Sequence, residues 1–183
     1  LHYWEGVFLT TSSEWMKEWS EGNIAKRHSK QSFLKKLAMV TPCIVATVYK
    51  SVTLFDYFNG KSQPLEEGID LVIFDEAGQI GPEIGLPLLG LAKSALVVGD
   101  DKQLAPIGVG ELTDIVRLKH NEIDEDEREW LDKRGLSCSA GSVIAASHFT
   151  TSFSDEHYTP GIMLREHYRC LPEIIGYCNE LLY

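Results

Sequence analysis

The chain has 183 residues, of which 44% are hydrophobic and 24% charged, and a net charge of −10. That length buries one good core with room for an appendage, and the composition is ordinary for a globular protein. No apolar stretch approaches the ~20 residues of a membrane span, Trp4, Glu5 and Gly6 break the first apolar residues too early for a signal peptide, and the acidity excludes gripping nucleic acid through bulk electrostatics.

The four cysteines, Cys43, Cys138, Cys170 and Cys178, form no C-x-x-C pair and no zinc-finger spacing with histidine. Free thiols in a reducing compartment, cytoplasmic or nuclear, are expected. The chain starts with Leu and ends inside an apolar helical pattern, so an excised piece of a longer protein is expected.

Residues 1–10 are apolar and aromatic and predict a strand. Thr11-Ser12-Ser13-Glu14 then fits a capping box opening a helix. Trp15 and Trp19 follow at i, i+4. This spacing suits core packing, and without interleaved basic residues it argues against stacking on bases. A break at Gly22-Asn23 leads to a second helix with Phe33, Leu34, Leu37 and Ala38 on one face. Lys26, Arg27, Lys30, Lys35 and Lys36 suit its wet side or a face toward a phosphate backbone, and Thr41-Pro42 stops it.

From Cys43 the rhythm becomes strand and helix in alternation. Cys43-Ile44-Val45-Ala46-Thr47-Val48 predicts a buried strand, residues 51–58 a short helix, and 59–68 a polar loop. Next come a strand ending at Asp75, a helix over 83–91 and a strand ending at Gly99. Helical crossovers between short β runs predict an α/β fold with a parallel, right-handed sheet. Residues 107–160 carry the acidic run Glu-Ile-Asp-Glu-Asp-Glu-Arg-Glu from position 122. They predict two or three helices and a mobile Ser/Thr-rich loop over 147–159. Gly161-Ile162-Met163-Leu164 predicts a returning strand, and Pro172 opens a last helix.

Two strings carry chemistry. Leu71-Val72-Ile73-Phe74-Asp75-Glu76-Ala77-Gly78 and Leu96-Val97-Val98-Gly99-Asp100-Asp101-Lys102-Gln103-Leu104 are apolar runs that end abruptly in polar groups. Such runs deliver side chains at the carboxyl tips of parallel strands, where ligands bind in open α/β sheets. At a strand tip, an adjacent Asp-Glu pair suits nucleotide hydrolysis: one carboxylate holds Mg2+ and the other orients or deprotonates water. Gln103, 27 positions after Glu76, suits reporting on the terminal phosphate. Arg169 suits neutralising charge on a transferring phosphoryl group. The plainer reading of Asp75-Glu76 is a strand end leading into a helix, where carboxylates are electrostatically welcome. Gly60-Lys61-Ser62 imitates the end of a P-loop, but position 55 is Phe where G-x-x-x-x-G-K-[ST] requires Gly. An ordinary turn is expected there, and the chain holds no other candidate.

Asp75-Glu76-Ala77-Gly78-Gln79, Gly99-Asp100-Asp101-Lys102-Gln103-Leu104-Ala105-Pro106 and His167-Tyr168-Arg169-Cys170-Leu171-Pro172-Glu173 resemble motifs II, III and IV of superfamily 1 helicases. The closest likeness is to the branch typified by the nonsense-mediated-decay helicase and its bacterial relatives. It covers residues 41–106 and 161–183. Relatives often have His where Leu171 stands and Gln where His167 stands, and Asp101 adds a negative charge at a position usually small or cyclic.

The resemblance implies an incomplete RecA-like P-loop NTPase half-domain. Residues 1–40 would be the stalk of an inserted subdomain, 41–106 the α/β core, 107–160 a helical insertion, and 161–183 a returning strand and helix. It implies Asp75 as the Mg2+ ligand, Glu76 as the base for the attacking water, and Gln103 as the link between γ-phosphate and nucleic acid. It further implies Arg169 as a γ-phosphate contact, Tyr168 near the base or sugar, Gly99 and Asp100 beside the nucleotide, and Thr47 on the strand's backbone. ATP, Mg2+, single-stranded DNA or RNA and a second motor domain are the implied cofactors and partners. The rivals are an inactive RecA-like interaction module and an ATPase switch that does not act on nucleic acid.

Overall fold

A computed structural model shows a mixed α/β protein. It describes residues 2–21, 27–154, 160–164, 166 and 168–182. The chain divides into two compact units, Leu1–Ile73 with Ile84–Leu96, and Phe74–Glu83 with Val97–Tyr183. No helix among the described residues is long and apolar enough to cross a membrane.

The first unit opens with helix α1 (His2–Ser20), where the sequence predicts a strand and then a helix cap. Its aromatic and β-branched residues favour a strand only if a sheet partner exists. Here Thr10 and Thr11 are accommodated instead by donating their hydroxyls back to the carbonyls of Gly6 and Val7. Thr11 is therefore interior, not a cap. Tyr3 and Trp4 meet edge to face, 5.2 Å apart. The expectations for Trp15, Trp19, Lys26 and the Gly22-Asn23 break fall outside the described residues and side chains. Helix α2 (Arg27–Leu37) buries Leu34 and keeps Lys35 in solvent, as its spacing predicts, but Phe33 and Leu37 of the expected face are only half-buried and Ala38 is exposed beyond the helix end.

The predicted strand at 43–48 does not form. The segment is extended but joins no ladder among the described residues, with Val45 94% exposed, and helix α3 (Val48–Leu54) begins at its end. An apolar run becomes a strand only when it pairs with a neighbour, and this one pairs with none among the described residues. The next stretch is a hairpin, not a loop: β1 (Asp56–Phe58) pairs antiparallel with β2 (Ser62–Pro64), Phe58 opposite Ser62. Gly60 turns it at φ +77°, and Ser62 donates to Asp56 at 2.7 Å. The Gly60-Lys61-Ser62 string is thus a hairpin turn, with Leu65 buried just beyond it.

Strand β3 (Ile69–Phe74), helix α4 (Pro82–Leu89) and strand β4 (Ala92–Val97) form a β-α-β unit. β3 and β4 are a two-stranded parallel sheet. Its bonds advance the same way along both strands, from Ile69 N–H to the Leu91 carbonyl to Val98 N–H on the Phe74 carbonyl. Val72, Leu88 and Leu91 are buried, whereas Leu71, Ile73 and Leu96 on the strands are each at least half exposed. The run reads as buried on both faces, but one face is open.

The second unit holds three helices within 107–160: α5 (Glu111–His120), α6 (Glu125–Lys133) and α7 (Val143–Ser147). The acidic run is the exposed α6, closed by a capping box in which Asp124 accepts from Glu127 N–H and Glu127 accepts from Asp124 N–H. Arg128 ties α6 to α5 through Glu111, while also reaching Glu125 and Asp132. Residues 155–159 of the predicted loop lie outside the described ones. The predicted strand at 161–164 is absent, because Gly161 at φ +115° bends the chain and Ile162 and Leu164 stay exposed; an isolated bridge, Ser154 to Pro160, is all that forms there. Helix α8 (Pro172–Leu182) starts at the proline.

Lys93 donates to Asp70 at 2.6 Å, with both side chains exposed. The hydrogen bond first, and the ammonium charge second, hold the Asp70 carboxyl below its ordinary value, and the same contact raises Lys93. The Asp70 contribution is present above the unfolded carboxyl's pKa and fades as pH falls through the folded one. The Lys93 contribution is present below the unfolded amine's pKa and fades as pH rises through the folded one. Full exposure keeps both small. In Lys93→Met the Asp70 carboxyl should titrate at higher pH by NMR, and an unmoved titration would remove the pairing. Asp124→Ala should cost about 1 kcal/mol in urea unfolding through loss of the α6 cap.

Candidate functional site

Parallel pairing places the ends of β3 and β4 side by side. Beyond Phe74 the chain passes Asp75 and Glu76 and enters a 3-10 turn, Ala77–Gln79. Beyond Val97 it passes Gly99 and Asp100. The two tips are joined by backbone: Val98 N–H donates to the Phe74 carbonyl and Ala77 N–H to the Val98 carbonyl, each at 2.9 Å.

Two glycines make this approach possible. A Cβ on Gly78 would run into the carbonyl oxygen of Asp100, and one on Gly99 would sit 2.8 Å from Ala77 N and 2.9 Å from Gly78 N. No side chain fits at either position without parting the tips. Both glycines follow apolar strand runs in the sequence, but their role against each other depends on the strand pairing.

The acidic pair rides on a fixed mount. Phe74 and Ala77 are buried, and α7 lies against the 3-10 turn, with Val143 N–H donating to the Ile80 carbonyl at 2.9 Å. Asp75 and Glu76 themselves are exposed. Asp75 Oδ1 accepts the Glu76 N–H at 3.1 Å, and Asp75 Oδ2 takes no hydrogen bond among the described residues. Glu76 has left-handed backbone, φ 53° and ψ 43°. That conformation strains a residue with a Cβ and recurs at functional sites. Glu67 and Glu122 share it in turns, so the strain marks a sharp change of direction before it marks chemistry.

At the other tip Asp100 organises its neighbours. Its Oδ1 accepts Lys102 N–H at 2.9 Å and its Oδ2 accepts Gln103 Nε2 at 3.0 Å. Gln103 is exposed. The structure therefore brings Asp75, Glu76, Gly99, Asp100 and Gln103 to one end of one strand pair.

The remaining predicted residues lie on other segments. Arg169 and Tyr168 lie in the exposed segment before α8, and no hydrogen bond or ion pair among the described residues ties Arg169 to Asp75, Glu76 or Asp100. Tyr168 donates to Glu166, which pushes its phenol above the ordinary value. His167 lies outside the described residues. Thr47 is not at a strand end as predicted: it is the exposed N-cap of α3, its carbonyl receiving Lys50 and Ser51 while its hydroxyl makes no cap bond.

The Mg2+ expected from the resemblance meets a suitable donor set. No three His, Cys, Asp or Glu side chains converge as metal ligands among the described residues. Nucleotide-bound Mg2+ does not need such a cage; it takes one or two carboxylates, phosphate oxygens and water. Asp75 offers the carboxylate.

One polar cluster escaped the sequence. Buried Asp114 accepts from Ser137 Oγ and Ser139 N–H, both at 3.2 Å, and the two serine hydroxyls lie 2.9 Å apart. Between them, Cys138 has its thiol pushed up by burial first and then by Glu83 and Asp114, against Arg117. A protonated, half-buried thiol is a poor nucleophile, so the cluster pins the α5 end of the unit. No spacing rule announces it, since Asp114 and Ser137 are 23 positions apart.

Gly78→Ala should lose about 1–3 kcal/mol in urea unfolding as backbone is forced apart. Glu76→Gly should be neutral or stabilising by up to about 1 kcal/mol, because it relieves the left-handed strain. The opposite ordering of these two variants would show that the tips are not in contact.

No protein-family model, curated protein or solved structure matches this chain.

Proposed function

We propose that the chain is part of the first motor domain of an ATP-dependent superfamily 1 helicase or translocase, a RecA-like P-loop NTPase half that couples hydrolysis to movement on single-stranded DNA or RNA. The observation that carries this reading is the pairing of an exposed Asp-Glu tip with a Gly-Asp-x-x-Gln tip, its Asp100 half-buried and its Gln103 exposed, across two parallel strands. Convergence of acid, base and amide at one sheet end is what phosphoryl transfer to water requires.

In this reading Asp75 would hold Mg2+, which would supply Lewis-acid charge to the phosphoryl transfer. Glu76 accepts a proton from water as the water oxygen bonds to the terminal phosphorus. The bond from that phosphorus to the bridging oxygen breaks, and the electron pair leaves with the nucleoside diphosphate. Gly99 and Asp100 border the nucleotide, and Gln103 senses the transferring group. Arg169, presented from the exposed segment before α8, answers the charge on that group once the second motor half closes over it. Tyr168 lies beside base or sugar, and Thr47 offers its hydroxyl to the nucleic-acid backbone. The four cysteines, none in a disulfide, agree with a reducing cytoplasmic or nuclear setting.

This reading requires a phosphate-gripping loop and a second motor half in polypeptide other than these 183 residues. The second reading is a RecA-like scaffold without turnover, and a G-x-x-x-x-G-K-[ST] string upstream of Leu1 would favour the motor over it. The two readings part on one measurement. ATP hydrolysis by the full-length protein should rise on adding single-stranded nucleic acid, and Glu76→Gln should still bind ATP while turnover falls about 10²–10⁴-fold. Hydrolysis indifferent to nucleic acid supports an ATPase switch, and none at all supports the scaffold.

A further inference from the structure

The two oxygens of Asp100 do different jobs. Oδ1 closes the turn after β4 by accepting Lys102 N–H, and Oδ2 accepts from the side chain of Gln103. An ionised carboxylate only accepts hydrogen bonds, so the Gln103 atom that faces it is the amide nitrogen. The carbonyl Oε1 then points the other way. A glutamine amide free in solution presents either end; this one has its polarity set. The nitrogen carries two hydrogens, and the bond to Asp100 uses one.

The turn that holds this pair is itself fixed. Gly99 and Asp100 abut the 3-10 turn that follows Asp75 and Glu76, with no space for a Cβ between them. A carboxylate at that point is therefore a stationary reference beside the acidic tip, while Gln103 is an exposed, flexible side chain that needs one.

We propose that Asp100 is a positioning residue for the hydrolytic step: it orients the Gln103 amide so that Oε1 accepts a hydrogen bond from the attacking water and the second N–H of Nε2 donates to a terminal phosphate oxygen. The proposal rests on the nucleotide-hydrolase reading above. The water proton still passes to Glu76, and the leaving diphosphate still takes the electron pair. Asp100 exchanges no atom with the substrate. Its contribution is to remove the half of Gln103 orientations in which an N–H would face the water and a carbonyl would face the phosphate, both unfavourable.

Asp100→Asn tests this with little change of shape. The new side chain keeps an oxygen for Lys102 N–H and replaces the acceptor opposite Gln103 with a donor, so the Gln103 amide must turn over. In the full-length protein, kcat for ATP should fall about 10–100-fold with KM within about twofold. Gln103→Ala should fall by a similar factor, and the double variant should be no slower than Gln103→Ala alone. Losses that multiply would show that Asp100 acts by another route and would overturn the proposal. An inactive wild-type protein is a different outcome, since it removes the hydrolase reading itself. Should Asp100→Asn fail to fold, the wild-type Gln103 side-chain amide carries the test by NMR. One proton shifted and protected from exchange supports the latch, and two solvent-like protons overturn it.

Discussion

The contact between Gly78 and Gly99 is the constraint on which the candidate site rests. Two parallel strands bring their ends near one another, but only the lack of side chains at these positions lets backbone meet backbone at hydrogen-bond range. Everything polar at that end is then placed by covalent geometry from two fixed points. Asp75 and Glu76 precede one glycine by a few bonds, and Asp100 follows the other directly. The strain at Glu76 has the same origin, because the chain must leave β3 and turn within two residues to meet the neighbouring tip. Burial of Phe74 and Ala77 beneath the exposed carboxylates supplies the apolar footing such strain needs.

The helices between 111 and 147 bear on that arrangement. α7 is short, yet it packs its buried Val143 and Ile144 where the 3-10 turn needs support, and it is held at its own start by Ser142, whose hydroxyl accepts Ala145 N–H. Farther out, the charge on α6 is balanced locally: Arg128 serves three carboxylates and Lys133 serves Glu129, lowering that carboxyl. Arg134 lies over the Trp130 ring at 4.1 Å, a stack worth a fraction of a kcal/mol to about 1 kcal/mol at an exposed place. A segment that reads as a solvated acidic stretch thus carries its own ordering interactions.

What the sequence made legible was what local chemistry decides. The strand ends near Asp75 and Gly99, the helix between them, the turn at Gly60 and the start of α8 at Pro172 each follow from a few adjacent residues. Where a partner decides, the reading failed. Residues 43–48 and 161–164 have strand composition but join no ladder among the described residues, and residues 2–10 have strand composition yet form helix, with hydroxyls of Thr10 and Thr11 bonded one turn back. At the site, the residue types were readable and their meeting at one end followed from parallel pairing. The Asp100–Gln103 bond and the glycine contact were not, because both depend on distances of a few tenths of an ångström.

Leu71, Ile73 and Leu96 stand uncovered on a sheet that has just two strands and therefore two free rims. Hydrogen-bonding groups along such rims recruit any extended polypeptide that reaches them, and neighbouring oily residues reward the arrival. At high concentration the chain would gather into β-rich clumps, and shielding its bare surface during purification becomes a practical requirement.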